Sequence, residues 1–211
     1  MKKASMRYRK NMSKIVIKSD FKEYIKVFLE ENSKLNLISK NDEKFLFEKH
    51  IYDSLSIGLF FKKYSLGGSN VLDIGCGGGF PCVPIAIEYK NLNITGADSI
   101  RKKINSVQIM KEKLDLTNLE LLCQRAESIN KNYDLVVSRA VAELAKISDL
   151  ALPLVKKDGY FVAYKSKKAL EELKKAEPIL KKYNSKVVDI IEYTLPLDEI
   201  YERNLIVIKK N

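Results

Sequence analysis

Apolar residues recur at helical spacing in the first third of the chain. Phe21, Tyr24, Ile25, Phe28 and Leu29 predict a helix over 21–32. Phe45, Leu46, Ile51, Leu55 and Leu59 predict a second helical region over 42–61, with Asn41 or Asp42 as its cap. Gly67, Gly68 and Ser69 then interrupt the pattern, and after Asn70 the rhythm changes. Short apolar runs at 71–74, 93–97, 119–123, 133–138 and 159–164 read as strands. They alternate with helical stretches at 81–89, 100–114, 142–155 and 169–183. Runs at 186–193 and 204–208 make a closing pair of strands, expected to be antiparallel. This alternation predicts an α/β fold with a doubly wound, mostly parallel sheet. Residues 1–66 form a basic arm and helical extension in this reading, and 67–211 the sheet domain, packed as one compact unit.

The sharpest local signal lies between the first strand and its helix. There the chain reads Val71-Leu72-Asp73-Ile74-Gly75-Cys76-Gly77-Gly78-Gly79-Phe80-Pro81. Glycines at 75, 77 and 79 suit a tight turn where a ligand approaches bare backbone near a helix N-terminus. A dinucleotide dehydrogenase would want its third glycine at position 80, where Phe80 stands. The Gly-x-Gly-x-Gly spacing resembles instead the first motif of class I (Rossmann-like) S-adenosylmethionine-dependent methyltransferases. Asp98 ends the next strand, where a carboxylate can accept from both ribose hydroxyls of a nucleoside. Arg125-Ala126-Glu127 follows the third strand, at the level of an adenine. A backbone N–H near Ala126 could serve a ring nitrogen and Glu127 the exocyclic amine, or Glu127 could simply favour a helix start.

Composition sharpens the choice of partner. The formal net charge is +11, with Lys and Arg crowded before residue 19 and again over 165–186. Such a surface has standing affinity for phosphates, although a solvated lysine-rich face would look the same. No run approaches the roughly 18 apolar residues of a membrane span. The basic start lacks the apolar core of a secretory signal. A soluble, cytoplasmic, monomeric protein is expected, with no membrane partner. Cys76, Cys82 and Cys123 have neither disulfide nor zinc-site spacing, so no metal is expected.

Missing motifs narrow the chemistry. The segment after the fourth strand, Ser138-Arg139-Ala140-Val141-Ala142, lacks the Pro-Pro-aromatic signature of exocyclic-amine methylation. Pro81-Cys82 lies in the glycine turn, on the wrong loop for a nucleophile of carbon-five cytosine methylation. Guanine N7 suits a site without an evident base, because its lone pair is exposed and it has no proton to lose.

From about Phe21 onward the chain resembles one family throughout. Leu35-Asn36-Leu37, His50-Ile51-Tyr52-Asp53-Ser54-Leu55, the run from Leu72 to Pro84, Asp98-Ser99 with Lys102-Lys103, Arg125-Ala126-Glu127, Ser138-Arg139-Ala140, 159–165 and 202–209 all occur in register. The sequence is similar to the RsmG family, also called glucose-inhibited division protein B, whose members methylate guanine N7 in 16S ribosomal RNA. The resemblance implies S-adenosylmethionine as methyl donor, S-adenosylhomocysteine as product, and 16S RNA or the small ribosomal subunit as partner. It implies that Gly75 and Phe80, with Gly77 and Gly79 of the same turn, meet the cofactor. Ala126 and Glu127 would flank its adenine, and Arg139 would close the pocket. Arg139 is read as meeting the methionine carboxylate, a phosphate or guanine O6, or as a structural ion pair. His50, the one histidine, is a substrate-side group or a wall of the pocket. Lys165 would meet RNA phosphate or solvent. Cys82, Ile38 and Ser166 depart from the family pattern, and the arm before Phe21 matches nothing in it. Transfer to a small molecule or protein, a non-catalytic RNA-binding role, and nicotinamide-dependent oxidation are the competing readings.

Overall fold

A computed structural model describes residues 15–166 and 169–211. Five helical pieces come first: α1 (Lys22–Leu35), α2 (Lys40–Glu43), a π-helical α3 (Leu46–Tyr52), α4 (Asp53–Leu55) and α5 (Ile57–Phe61). The alternating part follows as β1 (Asn70–Ile74), α6 (Cys82–Glu88), β2 (Asn93–Ala97), α7 (Arg101–Lys113), β3 (Leu119–Leu122), β4 (Tyr133–Arg139), α8 (Leu144–Ala151), β5 (Val155–Ser166), α9 (Ala169–Lys182), β6 (Ser185–Leu195) and β7 (Tyr201–Lys210). The strands form one seven-stranded sheet in the order β3-β2-β1-β4-β5-β7-β6. Pairs from β3 to β5 are parallel. β7 runs antiparallel to both β5 and β6.

Successive strand residues point to opposite faces, and the two cores follow that alternation. Val71, Leu135, Val137, Val162 and Val207 join the core beneath α6, α7 and the N-terminal helices. Leu72, Val136, Phe161, Ala163 and Ile206 join the core beneath α8 and α9. The N-terminal helices are part of the first core. Tyr24, Val27, Phe28, Ile51 and Leu55 are buried in the same cluster as Val83, Val107 and Leu205. Strand order reverses between β1 and β4, which opens a crevice at the carboxyl edge of the sheet.

Several expectations shift. The helical region over 42–61 is broken into pieces, and Ser39, not Asn41 or Asp42, caps it: its Oγ accepts from the Asp42 N–H at 3.2 Å. The helix over 142–155 ends at Ala151, with a 3₁₀ turn over Leu152–Leu154 that contains Pro153. β5 starts at Val155, ahead of the polar run Lys156 to Gly159 that reads as a turn, because Val155 pairs with Tyr133 across a register shift. Of the basic arm, residues 1–14 lie outside the described residues. Its last residues are packed: Ile15 and Ile17 lie against the first core, and the Lys18 N–H donates to the Glu88 carboxylate at 2.8 Å.

Phe28 is fully buried between Tyr24 and Phe80. Phe28→Ala is expected to lower unfolding free energy by about 3–5 kcal/mol in denaturant titration, the usual penalty for emptying such a site. A loss below about 1 kcal/mol would show that the extension is not part of the common core.

Candidate active site

The glycine turn is built from backbone that side chains would obstruct. Gly75, Gly77 and Gly79 have φ of +70°, +54° and +96°. Glycine adopts this region freely and other residues do so at a cost. The Gly75 and Cys76 N–H groups both donate to the Ala97 carbonyl, at 2.8 and 3.0 Å, which ties the turn to the end of β2. A Cβ on Gly79 would lie 2.7 Å from Val83 Cγ2, so that glycine lets helix α6 close on the turn. A Cβ on Gly75 would lie 2.6 Å from Val141 Cγ2. The loop after β4 therefore covers the face of Gly75 that the sequence leaves bare. At Gly77 the nearest atom to an added Cβ is the Gly75 carbonyl at 3.9 Å, so the open approach is here.

Asp98 stands at that opening. Its Oδ2 accepts from the Gly77 N–H at 3.0 Å and its Oδ1 from the Ile100 N–H at 2.8 Å. The carboxylate thus holds the turn in place, and each oxygen keeps a further lone pair for a ligand hydroxyl. Behind the turn Asp73 is fully buried. Its Oδ2 accepts from the Cys82 N–H at 3.0 Å, while Oδ1 is buried without a partner. Burial pushes the Asp73 carboxyl up to about 7, against the opposing pull of the Cys82 N–H and Arg139.

Arg139 ends β4 and gathers the rest of the site. Its Nη1 donates to Asp53 Oδ2 at 3.0 Å and to the Lys49 carbonyl at 3.2 Å. Its Nη2 lies 3.1 Å from His50 Nδ1, and its guanidinium carbon sits 5.1 Å from the centre of the Phe80 ring. A guanidinium only donates, so His50 Nδ1 is the acceptor and the ring proton of neutral His50 is on Nε2. Burial first, and the Arg139 charge second, lower the His50 pKa to about 4. His50 lines the cleft with its Nδ1 lone pair turned to Arg139. Three of the five guanidinium donors are used, which leaves Nε–H and one Nη2–H of Arg139 for a ligand. Phe80 is buried among Tyr24, Phe28 and His50, so its ring supports the site from the core side.

Arg139, Asp53, Lys49 and His50 line a cleft of about 590 Å³, with Tyr164, Lys165, Glu172, Tyr201 and Arg203 on its other walls; the glycine turn, Phe80 and Asp98 are not among its lining residues. Lys165 is largely engaged within the protein. Its Nζ donates to Glu172 at 2.7 Å and to the Ala142 carbonyl at 2.6 Å. Glu172 also accepts from the Leu144 N–H, so this pair holds the chain just after Val141. Ala126 and Glu127 lie apart from this cleft. They follow β3 and line a separate cavity of about 510 Å³ with Ile129, Asp149, Leu150 and Pro153. Lys49 and Glu172 escape a motif search, while Asp53 and Arg203 fall inside family segments without a role being assigned to them. The usable signal for Asp53 was its place in the His-x-x-Asp-Ser segment, and the structure buries it together with Ile51 and Leu55. Among the described residues no cluster of His, Cys, Asp or Glu is suited to a metal ion. No helix among them is long and apolar enough to cross a membrane.

Residues 17–201 match the GidB family profile, described as rRNA small subunit methyltransferase G. The chain belongs to this family. The ribosomal RNA small subunit methyltransferase G of Listeria welshimeri is 38% identical over 196 residues, covering 90% of this chain and 81% of its own length. That of Staphylococcus saprophyticus is 38% identical over 195 residues, covering 90% and 80%. Solved structures share the fold at lower identity. Magnesium protoporphyrin IX methyltransferase from Synechocystis, with bound SAH, superposes with a TM-score of 0.61 at 15% identity, over 90% of this chain and 95% of that one. The N-methyltransferase NodS from Bradyrhizobium japonicum gives 0.59 at 14%, over 87% and 98%. As a member of the methyltransferase G family, the chain has the seven-stranded, mostly parallel sheet of the class I methyltransferases.

The depressed His50 pKa has a thermodynamic signature. The unfolded chain binds a proton at His50 near pH 6.5, the folded enzyme only near 4. Between those values the unfolded state holds more protons, so stability is lost as pH falls from 6.5 to 4. His50→Gln is expected to remove this part of the pH dependence, a difference on the order of 1–3 kcal/mol between pH 7.5 and 4. The check is denaturant unfolding of both proteins across that range, and parallel curves would show that His50 is not held neutral.

Proposed function

We propose that this methyltransferase transfers a methyl group from S-adenosylmethionine to N7 of one guanine in 16S ribosomal RNA, at the carboxyl edge of β1, β2 and β4. Its cofactor is S-adenosylmethionine, and the residues present fit that group. Gly77 leaves backbone uncovered beside a carboxylate, Asp98, suited to ribose hydroxyls. Ala126 follows β3, and this reading brings the adenine beside it. Arg139 retains two donors for a carboxylate or for guanine O6. Bound there, the cofactor supplies a sulfonium methyl open to in-line attack.

The observation that carries this chemistry is the state of His50. Its Nδ1 lone pair is engaged by Arg139, and burial keeps the ring neutral. Asp42, Asp53 and Glu172 in the same cleft are likewise paired, with Lys49, Arg139 and Lys165, while Glu143, which also lines it, is exposed. A site so arranged suits an acceptor that needs no deprotonation, as guanine N7 does. The protein's part is then to orient the base and exclude water. The net charge of +11 favours an RNA acceptor over a small metabolite. The proposal places the enzyme in the cytoplasm, where small subunits are assembled, and has it act as a monomer.

Mass analysis of 16S RNA nucleosides from cells lacking this protein tests the assignment. One 7-methylguanosine is expected to disappear, to return with the wild-type chain and not with Arg139→Ala. An unchanged nucleoside profile, with turnover only on a small metabolite, would refute it. Cofactor affinity tests the ribose contact separately. Asp98→Asn is expected to weaken S-adenosylmethionine binding about tenfold or more in calorimetry, the scale of a lost charged hydrogen bond. An unaltered affinity would remove Asp98 from the binding site.

A further inference from the structure

Asp53 is a side chain that neither the glycine turn nor the acceptor requires directly. It stands where the π-helical α3 passes into α4, in the N-terminal extension, and is 4% exposed. Its two oxygens reach three different strands. Oδ2 accepts from Arg139 Nη1 on β4 at 3.0 Å. Oδ1 accepts from the Tyr193 hydroxyl on β6 at 2.6 Å, and Arg203 Nε on β7 lies 3.9 Å away. Burial raises the Tyr193 pKa well above the ordinary value, which keeps the hydroxyl protonated as the donor.

A carboxylate this deep is tolerated only with its lone pairs satisfied and a countercharge close by. The partners divide the task. Tyr193, on the edge strand β6, satisfies the hydrogen-bonding demand of one oxygen but supplies no countercharge. The other oxygen then points at Arg139, whose remaining supports are the Lys49 carbonyl, His50 Nδ1 and the Phe80 face. All of these, apart from Phe80, belong to the extension. Without the charge at 53, Arg139 keeps a carbonyl and a neutral ring, neither of which counters its positive charge. The guanidinium would then be free to turn its Nη1 toward other acceptors, including those that Nε–H and the second Nη2–H are left to serve.

We propose that Asp53 is a positioning residue for methyl transfer: it anchors Nη1 of Arg139 so that the remaining donors are held for the cofactor or the guanine. This rests on the reading of the site given above. It makes the helical extension a structural half of the active site.

A double-mutant cycle on the full-length chain, assayed for methyl transfer to small ribosomal subunits, tests it. Asp53→Asn is expected to lower kcat/KM about 30-fold in the wild-type background and less than about twofold in an Arg139→Gln background. Tyr193→Phe, which removes only the other hydrogen bond, is expected to lower the melting temperature while kcat/KM stays within about twofold. Asp53→Glu, which restores the charge with a longer arm, is expected to recover part of the activity lost in Asp53→Asn, and serves in the cycle if the Asn variant does not fold. Equal losses in both backgrounds would overturn the proposal. So would a Tyr193→Phe loss as large as that of Asp53→Asn, because the effect would then come from loosening of the fold. Failure of the wild-type chain to methylate any ribosomal RNA would instead defeat the assignment of function.

Discussion

A guanidinium taken out of water must find acceptors for its donors and a counterion for its charge, and this structure is arranged around that demand at Arg139. The residue is on the fourth strand of the sheet, but most of what satisfies it comes from the helices ahead of the first strand. Asp53 supplies the charge, Lys49 a carbonyl and His50 a ring nitrogen, while the Phe80 ring provides a flat face. Because Phe80 follows the glycine turn and packs on Tyr24 and Phe28, the same contact set joins the turn, the extension and the sheet edge. The π-helical geometry of α3 lies in this region, where Lys49 and His50 present a carbonyl and a ring nitrogen to one cation, and such wide turns recur at functional sites.

Much of the fold was legible because the relevant forces are local. Helical spacing before residue 62 and alternating short runs after residue 70 reflect which faces must be buried. The parallel pairing from β3 to β5 and the antiparallel pairing of β6 and β7 agree with that pattern. The glycine turn was legible for the same reason: three positive φ angles in one turn require residues without a Cβ. Where local signals compete, the reading slipped. The helical region over 42–61 is continuous in its apolar spacing but broken in fact, and β5 begins in a run of Lys, Asp and Gly that resembles a loop.

The site was legible as a set of motifs but not as a set of contacts. Gly77 and Asp98 were placed together, and the hydrogen bond between them shows that the carboxylate also shapes the turn. Arg139 was read with an ion pair as one alternative, and it is paired, yet its partner is remote in sequence and no spacing rule points to it. The cover of Val141 over Gly75 and the hold of Lys165 and Glu172 on that loop arise from packing between distant elements. Such pairings depend on the folded topology and leave no periodic trace.

Together these features describe a carboxylate that shapes the glycine turn, and a separate cleft in which a tethered guanidinium meets a histidine held by burial and by that charge. Its chemistry suits transfer to an atom that already carries a lone pair. The most direct test is a structure of the protein with S-adenosylhomocysteine bound. The ribose hydroxyls should lie within hydrogen-bonding reach of Asp98, with the amino-acid end toward Arg139 and the adenine beside Ala126. A ligand seated in the separate cavity along Asp149 and Pro153, with Asp98 and Arg139 both out of reach, would contradict this account of the site.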